Sequence, residues 1–294
     1  LDNKLKIAVL GSTGMAGSMM LSYFTNRGHY TMGFARSINT RYMSKLFNAH
    51  SMEHLDNLVS FVMEWKPDAI INCIGYLVQD SEKNPAEAIY INSYFPHLLE
   101  NMTKGTGTKV IHISTDCIFS GTDATEYVES SFPTETNYYG RSKALGELKN
   151  SKDLTLRQSI IGPAPQASNT GLFNWILRET SLEVGGWSRM LWNGITTLEL
   201  AKQIEAILLV SPQLHGIVNL TSPEVTNKYD LIKMIIDEWY LPLQVKNVLQ
   251  PFFICKVLKT ERDDVPLIKS DYRKQLKELH EYMIKHNITV GNVK

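Results

Sequence analysis

Tyr139 and Lys143 lie four residues apart in the segment NYYGRSKALGE, a spacing that places both side chains on one face of a helix. A phenol with a pKa of about 10 is a poor proton donor at neutral pH unless the phenolate it leaves behind is stabilised. A lysine ammonium one turn away supplies that stabilisation. Tyr138 is the rival acid, but its five-residue spacing from Lys143 aligns less well. Upstream, the run Lys109 to Ser114 reads as a strand whose end presents Ser114, Thr115 and Asp116. Thr115 is then the residue to hydrogen-bond a substrate oxygen beside Tyr139. The chemistry that these types suit is protonation of a carbonyl oxygen as hydride reaches its carbon.

A hydride needs a carrier, and the segment GSTGMAG has the composition to hold one. Gly11, Gly14 and Gly17 follow a strand-like run, Lys6 to Leu10, and open a helix. The first glycine allows a tight turn, the second lets backbone approach a pyrophosphate, and the third lets helix pack closely on strand. Gly11, Thr13, Gly14, Met15 and Gly17 are therefore the expected phosphate contacts. The second strand, His29 to Phe34, is followed by Arg36, with no acidic residue between Gly33 and Thr40. A basic residue there suits the 2'-phosphate of NADPH, which is preferred over NADH.

Elements that could position these residues alternate along the chain. The spacing predicts a helix after the glycine turn, another over Glu53 to Trp65, and a buried strand over Ala69 to Ile74. A helix over Pro85 to Thr103, the strand Lys109 to Ser114, a helix over Ser142 to Ser151 and a strand over Leu154 to Gln158 follow. This order predicts an α/β protein with a Rossmann-like doubly wound parallel sheet and a smaller C-terminal substrate-binding domain. Residues 1–162 are read as the dinucleotide-binding domain with the tyrosine and lysine. Residues 163–294 are read as mainly substrate-binding, with segments returning to the sheet. Pro163 to Gly171 reads as a loop. Helices are expected over Leu172 to Thr180, Thr197 to Val210, Tyr229 to Trp239 and Tyr272 to His286, and a strand over Gly216 to Leu220.

The 30 basic and 30 acidic side chains cancel, so nothing steers the whole molecule to nucleic acid or an anionic membrane. Cys73, Cys117 and Cys255 form neither a disulfide framework nor a zinc pattern, and the histidines lack ligand spacing. No metal site, secretory leader or membrane span is expected, and a cytoplasmic setting fits. His112 is read as a core histidine. Tyr23, Phe24, Phe61, Met63 and Trp65 are read as core, whereas Trp175, Trp187 and Trp192, around Gly185 and Gly186, divide between core and cleft.

Four segments in order, GSTGMAG, KPDAIINCIGYLVQDSEKNPAEAIYIN, STDCIFSG and YYGRSKALGE, resemble the extended short-chain dehydrogenase/reductases. The resemblance is strongest to the dTDP-4-dehydrorhamnose reductase branch, which reduces a 4-keto group on a nucleotide-linked 6-deoxy sugar. It implies Thr115, Tyr139 and Lys143 as the catalytic trio. It also implies that Asn72, Cys73, Ile74 and Gly75 lie beside the cofactor, together with Asn92, Ser114 and Lys143. Asp116 and Cys117 fall on the substrate side, and WNGITTLELAKQI resembles the segment that brings Asn193 and Thr196 to the sugar cleft. Trp187 and Arg189 are further substrate candidates, an arginine fork being suited to a diphosphate; Arg157, Arg178 and Lys202 are alternatives to Arg189.

The chain departs from the family pattern at Cys117, commonly tyrosine, and at Cys73, commonly alanine. The acid often found after the third strand has no match around Asn48 to Ser51. These changes bear on which sugar is bound more than on the hydride chemistry. Two other functions compete: an epimerase or dehydratase that recycles hydride on bound NAD, and a non-catalytic cofactor-binding subunit like the regulatory subunit of methionine adenosyltransferase. A homodimer is the base-rate expectation for such an enzyme.

Overall fold

The computed structural model describes residues 4–123, 125–165 and 171–290. Residues 166–170, within the expected loop from Pro163 to Gly171, lie outside the described residues. Parallel strands covered by helices on both faces need unbroken apolar runs. Such runs form most of β1 (Lys6–Leu10), β2 (Tyr30–Ala35), β4 (Ala69–Asn72), β5 (Lys109–Ile113) and β6 (Leu154–Arg157), with a short β3 (Ser44–Leu46) at the edge. Every residue of β4, β5 and β6 is buried. The strand Gly216–Asn219 joins late, and the order across the sheet is Gly216–Asn219, β6, β5, β4, β1, β2, β3. All neighbours are parallel.

The chain winds outward from β1 to β3, then crosses back to place β4 on the other side of β1. Connections therefore diverge at the carboxyl ends of β1 and β4, which opens a crevice there. On one face, helix α1 (Met15–Asn26) buries Met19, Met20 and Phe24 with Ile204 and Ile207 of the helix Thr197–Val210. On the other, helix α2 (Met52–Trp65) buries Leu55, Leu58 and Phe61 against Leu10 and Ile70. Met63, expected in the core, is exposed instead.

Two helices differ from expectation for local reasons. The single helix expected from Pro85 to Thr103 is divided into Pro85–Ala88, a π-helical turn at Ile89–Tyr94, and Phe95–Met102. Pro96 has no N–H to give the carbonyl of Asn92, so the α-helical ladder is interrupted there. The helix expected over Ser142 to Ser151 spans Tyr138–Leu145. Asn137 starts it early by accepting the backbone N–H of Gly140 at 2.8 Å. It stops at Gly146, where a Cβ would lie 1.9 Å from the carbonyl oxygen of Asn92.

Beyond Gly162 the chain makes small ladders. Ile195–Thr196 pairs with Ile160–Ile161, Glu183–Gly186 with Gln244–Asn247, and Met190–Trp192 with both Thr226–Asn227 and Ile254–Cys255. The stretch Thr197–Val210 then returns to α1, and Gly216–Asn219 returns to the sheet beside β6. The terminal helix Tyr272–Lys285 buries Leu276, Leu279 and Met283. Among the described residues no helix is long and apolar enough to cross a membrane.

Buried charge joins elements that apolar packing alone would leave free to slide. Glu205 accepts from the Tyr23 hydroxyl at 2.6 Å, from Arg27 at 3.0 Å and from the His29 ring at 2.8 Å, tying the returning helix to α1 and β2. Arg157 makes a two-pronged bond to Glu147 at 2.7 and 2.8 Å, both side chains being almost wholly buried. Arg157 is thus consumed in the scaffold and is not the diphosphate ligand that its residue type allowed; Lys202 is likewise paired, to Glu278 at 2.6 Å. Arg157→Met alone should cost about 3 kcal/mol or more, because it strands the Glu147 carboxylate inside. Urea unfolding should find the double variant with Glu147→Leu markedly more stable than that single variant. Equal instability of the two would mean that charge pairing is not what the couple contributes.

Candidate active site

The carboxyl end of β1 turns through Gly11, whose φ is 75°. A Cβ on Gly17 would stand 2.2 Å from the Gly11 carbonyl oxygen, so α1 can start this close to the strand only with glycine there. Gly14 caps α1 without any side-chain acceptor. The first N–H groups of the helix, from Met15 to Gly17, consequently face outward at its positive end, an arrangement that fits phosphate oxygens. Thr13 and Met15 are half-exposed and Gly14 is exposed, leaving that end open. Arg36 stands exposed just past β2, on the edge where Gly11 bonds to the Phe34 carbonyl at 2.8 Å. The cradle and the donor set fit a dinucleotide.

The helix Tyr138–Leu145 carries the tyrosine and lysine to the ends of β4 and β5. The Tyr139 hydroxyl faces Thr115, the residue that opens the 3-10 turn Asp116–Ile118. Tyr138, the rival, is exposed. Tyr139 as a whole is half-buried, and its hydroxyl is desolvated. Burial first, and the neighbouring Cys117 second, push its pKa above the ordinary phenol value, so it holds its proton at neutral pH. Thr115 donates to Asp116 Oδ1 at 3.1 Å and accepts from the Cys117 N–H at 3.1 Å. Burial also raises the pKa of Asp116, and it pushes the Cys117 and Cys73 thiols up to about 12.

Lys143 is buried, and its ammonium donates to the Ile113 carbonyl at 2.6 Å. It also faces His112 Nε2 at 3.4 Å, while Asn72 meets the other ring nitrogen at 3.1 Å. Burial, reinforced by the Lys143 charge, holds His112 neutral, and His112 is the core histidine expected. Burial lowers the pKa of Lys143 to about 8, against the opposing pull of Glu147 and Cys73. The ammonium is therefore engaged by backbone and is not what sets the acidity of Tyr139 in this arrangement.

Several expected ligands have their polar atoms committed elsewhere. The Asn72 amide serves His112 and the N–H of Ile74. Asn92 accepts from the N–H of Tyr76 at 2.8 Å and donates to the Tyr76 carbonyl and to Ser142. It thereby fixes the strand end that contains Gly75 against the helix of Tyr139. Ser114 Oγ donates to Glu147 at 3.2 Å. Asn193, expected in the sugar cleft, is a clamp: its amide both donates to and accepts from the backbone of Leu258, at 2.7 and 3.0 Å. Thr196 caps the helix that follows it. Arg189 is exposed and donates to the Gln250 carbonyl at 3.0 Å, and Trp187 is half-buried.

A small cleft, about 50 Å³, separates the glycine turn, at Met15, from Trp192 and Lys228 of the C-terminal half. Lys228 and Lys256 both draw the pKa of Asp116 down from across the chain, against its burial. Neither was distinguished by sequence, since each lies more than 100 residues from the segment it faces and looks like a surface lysine.

A doubly wound sheet, a glycine turn, and a tyrosine and lysine on a helix beside a threonine at a strand end define an extended short-chain dehydrogenase/reductase. The chain belongs to the RmlD substrate binding domain family, whose profile matches residues 5–163. It is 30% identical over 140 residues to a Haloferax volcanii protein named "Probable low-salt glycan biosynthesis reductase Agl14". That match spans 47% of this chain and 46% of the relative, so it covers less than half of the relative's length. Methionine adenosyltransferase 2 subunit beta of Mus musculus is 22% identical over 270 residues, 87% of this chain and 78% of that one. The crystal structure of dTDP-4-dehydrorhamnose reductase from Bacillus anthracis in complex with NADP shares the fold, with a TM-score of 0.76 and 19% identity. It covers 95% of this chain and 99% of that chain.

The lowered pKa of Lys143 has a measurable sign. The penalty for holding its charge inside is in full force below about pH 8 and fades as pH rises toward 10.5, the value of an unshifted lysine. The stability of wild type relative to Lys143→Met should therefore climb across that interval in urea titrations. A difference independent of pH would show that the ammonium is not desolvated.

Proposed function

We propose that this protein is an NADPH-dependent reductase of a nucleotide-linked 4-keto-6-deoxy sugar. The observation that carries the reading is Tyr139 facing Thr115, with Lys143 one helical turn on at the end of β5, beside a helix end suited to phosphates. Residues 1–162 would hold cofactor and catalytic groups, and residues 163–294 mainly the substrate wall. Arg36 supports NADPH over NADH because it is exposed, past β2, with no acid beside it. The three free cysteines suit a reducing, cytoplasmic setting.

A dinucleotide held at the Gly11–Gly17 turn would supply hydride for the carbonyl carbon. Tyr139 gives its proton to the carbonyl oxygen, so the C=O double bond becomes a C–O single bond with one new C–H and one new O–H bond. Thr115 turns its hydroxyl from Asp116 to the same oxygen and holds it where negative charge grows. Lys143, cationic below about pH 8, would have to leave the Ile113 carbonyl to balance the phenolate left on Tyr139, which regains its proton from solvent. Asn92 keeps the donors in register through Tyr76 and Ser142. Burial keeps both thiols, Cys73 and Cys117, protonated and so without charge in the pocket.

Purified protein given NADPH and 4-keto-6-deoxy sugars generated in place by their dehydratases should consume NADPH, followed by absorbance. Tyr139→Phe should lower kcat by about 10²- to 10⁴-fold, the range for loss of a general acid, with NADPH affinity nearly unchanged. NADPH binding without turnover on any such sugar would remove this reading and favour a regulatory cofactor-binding subunit.

A further inference from the structure

Lys228 is put in place by backbone pairing rather than by any partner for its charge. Thr226 and Asn227 pair antiparallel with Trp192 and Leu191, and Asn227 caps the next helix by accepting the Asp230 N–H at 2.9 Å. Lys228 is the first residue of that helix, half-buried at the wall of the cleft. Its ammonium lies 5.7 Å from the centre of the Trp192 ring. Among the described residues it makes no hydrogen bond or ion pair. Trp192 is held by stacking on Tyr272, with ring centres 5.6 Å apart, and its indole N–H is buried without an acceptor.

The two cations near Asp116 are not equivalent. Lys256 has Glu135 at 3.5 Å. Lys228 has only the more distant attraction of Asp116, set against a burial that lowers its pKa. A half-desolvated ammonium over an aromatic face is strong toward an anionic oxygen that can enter the cleft, because little water must be displaced and the local dielectric is low. A neutral keto sugar alone offers no such oxygen, whereas a sugar nucleoside diphosphate carries phosphoryl oxygens a few bonds from the reacting carbonyl. The glycine turn at Met15 forms the opposite wall and has its own phosphate role, so Lys228 is free for the second ligand.

Resting on the reductase reading, we propose that Lys228, backed by Trp192, is the residue that positions the substrate by binding the phosphoryl oxygens next to its sugar. The substrate is then recognised as a sugar nucleoside diphosphate from the C-terminal wall, apart from the cofactor's phosphates.

Lys228→Met keeps the stem and removes the charge. Calorimetry with thymidine diphosphate and uridine diphosphate as probes should show whichever binds wild type losing about 10-fold or more in affinity, the range for a hydrogen bond to a charged group. KM for the keto sugar should rise in parallel, with kcat and NADPH affinity little changed and with Lys228→Arg largely restoring binding. Unchanged nucleoside diphosphate affinity would overturn the proposal, as would a fall in kcat at constant KM or a simultaneous loss of NADPH binding. So would a wild type that binds neither probe. A wild type that binds a probe but never oxidises NADPH would refute the reductase reading, while the calorimetric comparison still decides the role of Lys228.

Discussion

The Tyr138–Leu145 helix touches its surroundings through glycine at two points, and the site depends on how closely it lies there. A Cβ on Gly140 would be 2.4 Å from the Cys117 carbonyl oxygen, and one on Gly146 would be 1.9 Å from that of Asn92. The first contact seats the helix on the turn that follows Thr115; the second seats it on the π-helical turn. Between them, Tyr139 reaches Thr115 and Lys143 reaches the end of β5. Any side chain at either glycine would lever the tyrosine away from the threonine, because packed interiors transmit displacement rather than absorbing it.

Charge inside this fold is tolerated where geometry is complete. Arg157 and Glu147 satisfy each other in two-pronged fashion, and Lys143 finds a carbonyl and a neutral ring. The Arg157 guanidinium also sits 5.4 Å from the centre of the Phe119 ring, itself stacked on Tyr127, so the same pair supports the segment that follows the 3-10 turn. These buried bonds do more to specify one arrangement than to raise total stability, since desolvation offsets much of their attraction.

Much of the sheet was legible from apolar periodicity: β1 was read to the residue, and β2, β4, β5 and β6 within one or two. The glycine turn and the tyrosine and lysine were legible because their chemistry depends on local spacing. What escaped was non-local. Asn92 and Ser114 were read as ligands because residue type reveals a polar group but not whether Ser142 or Glu147 will occupy it. The engagement of Asn193 was hidden for the same reason, its partner Leu258 lying far along the chain. The short β3 carries only SKL, too little pattern to detect, and the early start of the catalytic helix turned on the cap at Asn137.

Hydrogen bonds in the π-helical turn at Ile89–Tyr94 span one more residue than those of an α-helix, and that surplus sets the rotation at which Asn92 meets Tyr76 and Ser142. Deleting a single residue there would let the segment relax into ordinary α-helix and swing the asparagine out of reach, with every catalytic side chain left unaltered. In this stretch, chain length itself is under functional constraint, and tolerance of substitution is a poor guide to tolerance of deletion.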